Sequence, residues 1–363
     1  MINPVRIVFR TPFGAAVLLA VATVCHAETA TNFTDMSQRE VTLAKPAQRI
    51  AVIPIPAASM LVGMDGGAQK LVGMHPFAGV AAREGMLSQM FPDVLHVRSD
   101  TVGNNFMPNI ETLLSVKPDL VWQWGHRGEE IVAPLLHAGL TVATLNYGKE
   151  VWTQRWIQLM GVTLQQEKKA AEMIAWREKT IADLRRMTGT LNAAQRPRVL
   201  YLSHFNDGIQ TFGATSHNNF DIDLAGGVSL NRDITGARTL NIEQVLLWDP
   251  DVILLGNFEA GLVPDDVYHH PMLGDLTAVK QRRVYKLPIG GFIWDAPNQE
   301  TPLYWQWLAM IFHPQKFQLP LRDEIKVRYR QLYGYAVSDE QINTILQMPV
   351  NQGSQGYSEL MAR

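Results

Sequence analysis

The 363-residue chain has one cysteine, Cys25. Disulfide frameworks and thiolate metal sites both need more than one, so both are excluded. Neither Gly-x-Gly-x-x-Gly nor Gly-x-x-x-x-Gly-Lys occurs, which leaves dinucleotide and nucleoside triphosphate chemistry without an anchor. No Gly-x-Ser-x-Gly elbow and no His-Glu-x-x-His appears, removing two common hydrolase signatures. Charge is nearly balanced, with 32 basic and 34 acidic residues, and no polybasic tract offers itself to nucleic acid. Long apolar runs are missing as well: Phe13 to Val24 falls short of the roughly 20 residues of a membrane helix, and no later stretch approaches that length.

What is present begins with that short run. Arg6 and Arg10 precede it and Cys25-His26-Ala27 follows, the order of a secretory signal peptide over residues 1–27. Acylation of Cys25 as a lipoprotein is the weaker alternative, because Val24 is bulkier than the small residue such sites carry before cysteine. Cleavage after Ala27 leaves 336 residues, 30 of them basic and 34 acidic, and no thiol, which suits an oxidising compartment. That length exceeds what a single core usually supports, so two lobes are expected.

From Arg49 onward, short β-branched runs alternate with helical stretches. The predicted strands are Arg49–Pro54, Lys70–Met74, Asp119–Trp124 and Thr141–Tyr147, then Arg198–Ser203, Asp251–Gly256 and Val284–Pro288. The alternation argues for an α/β fold with parallel sheets in both halves. Between the halves, Leu164 to Thr190 contains no proline and no glycine before Gly189. Its Gln, Glu, Lys, Ala, Arg and Met content predicts one stiff helix of roughly 40 Å, with Ala171, Ile174, Ala175, Ile181 and Leu184 near one face. The expected divisions are an N-terminal lobe over 28–160, a connecting helix over 161–192, and a C-terminal lobe over 193–363. Helices broken near His313-Pro314 close that last lobe. The first-lobe methionines, such as Met60 and Met64, fit core filling at helical spacing better than a soft-metal site.

Two stretches nearly repeat each other 132 positions apart: Asn109-Ile-Glu-Thr-Leu-Leu-Ser-Val-Lys-Pro-Asp and Asn241-Ile-Glu-Gln-Val-Leu-Leu-Trp-Asp-Pro-Asp. Asparagine is a good helix N-cap, and glutamate in the first turn complements the helix dipole. Proline ends the helix, and an apolar strand follows. Each copy is a short helix feeding a central strand, so the two halves read as pseudo-symmetric.

With its paired Asn-Ile-Glu…Pro-Asp units and single long connector, the chain resembles the helical-backbone (class III) periplasmic binding proteins of ABC importers. The resemblance covers Arg49 to Leu346. Gly291-Phe-Ile-Trp-Asp-Ala-Pro and His313-Pro-Gln-Lys-Phe add a likeness to the subgroup associated with iron chelates and oxyanions. It implies two Rossmann-like lobes joined by one helix and a periplasmic monomer that works with a permease dimer and its ATPase. Family members bind ferric siderophores, haem, cobalamin and oxyanions. It also implies that Glu111 and Glu243, one per lobe, meet arginines of the permease.

A siderophore-type iron(III) chelate is the expected ligand. Haem, cobalamin, a nickel or cobalt chelate, and molybdate or tungstate stay open, as does the more distant possibility of an extracytoplasmic hydrolase. No intrinsic cofactor is expected. Ligands of open α/β sheets bind beyond the carboxyl ends of the strands. On that rule the candidate ligand residues are His75, Trp124, His126, Arg127 and Tyr147 in the first half and His204 and Trp294 in the second. Arg127 offers a planar fork to carboxylate, catecholate or oxyanion oxygens. Trp124 and Trp294 are candidate aromatic walls. His75 and His204 are the candidate metal ligands, and His217 lies in the same second-half loop region, Thr211 to Asn219. Asp295 is expected to cap the helix that follows it.

Overall fold

A computed structural model describes residues 30–362, and the expected signal peptide, Cys25 included, lies outside them. The first lobe carries strands β1 (Ile50–Val52), β2 (Leu71–Met74), β3 (Leu120–Trp124) and β4 (Val142–Leu145). They pair in parallel in the order β2-β1-β3-β4. The second lobe carries β5 (Arg198–Leu202), β6 (Val228–Ser229), β7 (Val252–Leu255) and β8 (Val284–Lys286), parallel in the order β6-β5-β7-β8. Both sheets are therefore the same permutation of four strands. β3 and β7 are buried along their whole length, as expected of parallel strands covered on both faces. All seven predicted strands are present within the expected ranges. The eighth, β6, is two residues long and too short to leave a pattern.

In the first lobe, helices α1 (Ile55–Asp65) and α2 (Pro76–Glu84) follow β1 and β2, and α3 (Ile110–Ser115) leads into β3. The repeat is built alike in both halves. The Asn109 side chain accepts from the Thr112 N–H of α3 at 3.2 Å, and Asn241 accepts from the Gln244 N–H of its counterpart helix, Ile242–Trp248, at 2.7 Å. Lys117 and Asp249, each preceding a proline, adopt left-handed backbone with φ of +46° and +38° and stop the helix. Asp119 then accepts the Gln48 and Arg49 backbone N–H groups at 2.8 and 3.0 Å, and Asp251 accepts that of Arg198 at 2.7 Å. The guanidinium of Arg49 donates to the Val116 and Lys117 carbonyls, and that of Arg198 to the Asp249 and Trp248 carbonyls. Each arginine satisfies helix-terminal carbonyls that have no partner within the helix. The matched unit thus includes Arg49 and Arg198, well outside the recognisable repeat.

The connector differs from its expected bounds. The chain forms α4 (Glu150–Leu164) and then α5 (Glu167–Thr188), separated at Gln165, which is left-handed at φ +56°. The spanning element is α5 alone, 22 residues and about 33 Å long. No glycine or proline marks the break. Gly161 makes the sharp return possible, since a Cβ there would sit 2.5 Å from that of Ala170. The buried face of α5 is also rotated from the apolar one anticipated. Ala170, Met173, Trp176, Arg177, Thr180, Leu184 and Thr188 are buried, whereas Ala171 and Ala175 are exposed. The reason is Arg177, which is turned into the protein by an ion pair described below.

In the second lobe, α6 (Asn218–Leu224) precedes β6, and α7 is the repeat helix Ile242–Trp248. Toward the end of the chain come α8 (Thr301–Phe312), buried almost throughout, and α9 (Leu321–Tyr333), with the break falling at His313-Pro314 as expected and two short helices, Asp339–Ile345 and Tyr357–Met361, after them. One apolar core cluster contains residues of both lobes, the connector and these closing helices. No helix among the described residues is long and apolar enough to cross a membrane.

Candidate functional site

The carboxyl ends of β2, β3 and β4 gather a set of rings and cations. His75 caps α2: its Nδ1 accepts from the Phe77 N–H at 3.1 Å, which places the ring proton on Nε2. Nε2 is buried with no hydrogen-bond partner. Burial lowers the pKa of His75 to about 4, with Arg127 adding to the shift and the Asn104 backbone opposing it, so the ring is neutral near pH 7. Its face lies 4.9 Å from the Phe106 ring, and the Arg127 guanidinium stands over that same ring at 4.3 Å. Trp124 is buried behind them, edge-on to Phe106, His126 and Tyr147 and against Trp156.

His126 and Arg127 are exposed, and Arg127 makes no ion pair with a carboxylate among the described residues. Partial desolvation lowers the pKa of both, and for His126 the neighbouring Arg127 adds to the effect. Here the structure brings together five of the predicted ligand residues: His75, Trp124, His126, Arg127 and Tyr147.

The second lobe meets this set at two points. Phe77, one residue into α2, stacks on Phe258 beyond β7, with centroids 5.1 Å apart and planes 15° apart. The Tyr147 hydroxyl accepts from the His217 backbone N–H at 3.5 Å, and burial pushes its pKa up to about 12. Directly beneath runs a buried chain of charges. Arg177 of the connector donates twice to Glu150 of α4, both bonds at 2.7 Å, and once to the Asn298 carbonyl. His217 places Nε2 3.3 Å from Glu150 and Nδ1 2.9 Å from Asp221, which also accepts from the Trp305 indole at 2.6 Å. Burial opposes charge at both Glu150 and His217, but the ion pairs prevail. Glu150 is held down at about 2 and His217 up at about 9, so both are charged at neutral pH.

Other expectations are corrected. Trp294 is fully buried and its indole donates to Glu300 at 2.7 Å, so it anchors the core and offers no wall to a ligand. Glu300 itself is buried with four donors: the Gly291 N–H, the Trp294 indole and the hydroxyls of Tyr329 and Tyr333. Asp295 caps no helix; it accepts from the Tyr201 hydroxyl and the Asn257 N–H. His204 is half-buried beside Ser203 at the edge of a small antiparallel pair, Gln210–Phe212 with Ala237–Thr239. It does not join His75, and among the described residues no group of three or more His, Cys, Asp or Glu side chains is placed to hold a metal ion.

Glu111 and Glu243 are both exposed, on the first turns of α3 and α7. A surface depression of about 390 Å³ beside Asn241 and Trp248, and another of about 350 Å³ between α5 and α9, include none of the strand-end residues.

Reading the sequence did not single out Phe106, Gln123, Glu150 or Arg177. Two left a signal: Gln123 is a lone polar residue inside the apolar run of β3, and Arg177 interrupts an apolar helix face.

Residues 66–289 match the periplasmic binding protein family. A periplasmic solute binding protein of Veillonella parvula is 33% identical with a TM-score of 0.80, over 89% of this chain and 98% of that one. The molybdate-binding protein MolA of Haemophilus influenzae is 24% identical over 62% of this chain and 70% of its own length. Its molybdate-bound structure superposes with a TM-score of 0.74 at 21% identity, covering 85% of this chain and 99% of that one. An iron-uptake system-binding protein of Bacillus subtilis is 24% identical over 62% of this chain and 73% of its own. With the family match spanning most of both lobes and the doubled strand order beneath it, the chain belongs to the periplasmic binding protein family.

Proposed function

We propose that the chain is the periplasmic solute-binding component of an ABC importer and that it captures an anionic metal species where its lobes meet. The observation that carries this reading is the exposed pair His126 and Arg127, neither of them in an ion pair among the described residues, set beside neutral His75 at the strand ends. An uncompensated guanidinium at the carboxyl edge of a parallel sheet is suited to bidentate capture of an anion. The relatives named for molybdate and for iron uptake support a metal-bearing cargo, and their names as binding proteins support retention without turnover.

A ferric chelate leads, because the half-buried rings of Phe77, Phe258 and Tyr147 offer apolar surface to an organic chelator. A bare oxyanion is the second reading, supported by the relative named for molybdate and by the planar fork of Arg127. Glu111 and Glu243, on equivalent helices of the two lobes, are the contacts proposed for the permease.

The test is native mass spectrometry with elemental analysis of protein purified from its own periplasm. Near-stoichiometric iron supports the leading reading, and molybdenum or tungsten in its place selects the second. Protein that retains neither, and that binds neither ferric citrate nor molybdate in calorimetry, refutes the proposal.

A further inference from the structure

Arg127 lies between Gly125 and Gly128, the latter at φ +108°, and has no carboxylate to hold it. A long side chain on such a backbone would ordinarily sample many rotamers. What fixes it here is Phe106. That residue has left-handed backbone at φ +67°, uncommon for a bulky side chain, and is 8% exposed. Its ring is held between the imidazole of His75 at 4.9 Å and the guanidinium of Arg127 at 4.3 Å.

The backbone that carries Phe106 is itself clamped. Its N–H donates to the Gly103 carbonyl at 2.9 Å, and its carbonyl accepts from the fully buried Gln123 side chain at 3.2 Å. The same Gln123 amide donates to the Ile131 carbonyl at 3.2 Å, on the far side of Arg127 in the chain. One polar group inside the central strand therefore ties down the segments before and after the arginine. A buried amide in an apolar strand needs such partners, and here all of them lead to the Arg127 surround.

We propose that Phe106, clamped by Gln123, is the positioning residue that stacks the Arg127 guanidinium at the strand edge and so sets the anion anchor before the solute arrives. This rests on the assignment of Arg127 as the anchor. Stacking orders the planar fork while leaving its N–H groups free at the rim, and a guanidinium ordered in advance loses less freedom on binding.

The test is a double-mutant cycle, read by calorimetry with ferric citrate and with molybdate on the full mature protein. Phe106→Leu keeps an apolar side chain in the same backbone and removes the aromatic face; Phe106→Tyr restores the face. For whichever anion binds, Phe106→Leu is expected to weaken affinity roughly three- to tenfold, with Phe106→Tyr close to wild type. In an Arg127→Ala background, Phe106→Leu should cost nothing further. If Phe106→Leu weakens binding equally with and without Arg127, the residue is only structural and the inference fails. If Arg127→Ala weakens binding and Phe106→Leu does not, the anchor stands and its positioning by Phe106 is overturned. If Arg127→Ala leaves affinity unchanged, the anchor assignment itself falls, and this inference with it.

Discussion

Glu150→Gln keeps the shape of the side chain and removes the charge that pairs with Arg177 and His217 where the lobes meet. The carboxylate is 8% exposed and the Arg177 side chain 1%, so neither partner can turn to water when the other is neutralised. A shift of the Glu150 pKa from 4.5 to about 2 corresponds to about 3 kcal/mol of favourable interaction. Breaking a buried ion pair from one side costs about 3–5 kcal/mol, and glutamine keeps one acceptor oxygen for Arg177, which argues for the lower end. For a folded chain of this size the unfolding entropy is about 0.7 kcal/mol per degree, so Tm should fall by roughly 4 °C.

The pH dependence gives a second signature. The folded-state pKa of Glu150 is depressed, so its contribution is present above 4.5 and is lost as pH falls toward 2. That of His217 is raised, so its contribution is complete below 6.5 and is lost as pH rises through 9. Wild-type stability from this network should therefore be greatest between 4.5 and 6.5. The variant should lose the acid-side slope owed to Glu150 and keep a shallower alkaline decline through Asp221. Differential scanning calorimetry from pH 2 to pH 9 measures both. A variant melting within about 1 °C of wild type, with an unchanged alkaline decline, would refute the assignment. Adding Arg177→Met should recover part of the loss, because it removes the uncompensated cation.

Glu111→Ala combined with Glu243→Ala should lower solute uptake by roughly tenfold while leaving calorimetric affinity unchanged; intact uptake would remove the docking role. His75→Asn retains an acceptor for the Phe77 N–H and removes a ring that burial holds neutral. Wild-type His75 penalises folding progressively as pH drops from 6.5 toward 4, so the variant should show a flatter urea midpoint over that interval. Gly290→Ala would place a Cβ 1.9 Å from a Glu300 carboxylate oxygen, and should cost about 2 kcal/mol or more in urea unfolding; a neutral result would mean that the Glu300 surround yields easily.

Much of this fold was legible before the structure. Parallel strands covered on both faces leave unbroken apolar runs, and all seven predicted ranges contain one. The repeat was legible because cap, acidic first turn and proline recur at identical offsets. Its partners Arg49 and Arg198 were not, since each reaches its helix from a distant point in the chain. The Gln165 break was hidden because a good helix former occupies the left-handed position. Arg177 and Trp294 defeated pattern reasoning in opposite ways: a charge went inside because a buried carboxylate met it, and an aromatic left the cleft because Glu300 held its indole. That the first-lobe candidates gather at the strand ends followed from topology alone, whereas Phe106 became visible only through what stacks on it.

The duplicated strand order gives this molecule an internal control. Asp119→Asn and Asp251→Asn remove the same charge from the same corner of two look-alike halves, one of them the half that carries the proposed anchor at its opposite sheet edge and the other the half that does not. Whatever injury the two substitutions share belongs to the scaffold. Whatever differs between them, measured with and without cargo, belongs to the work each half performs.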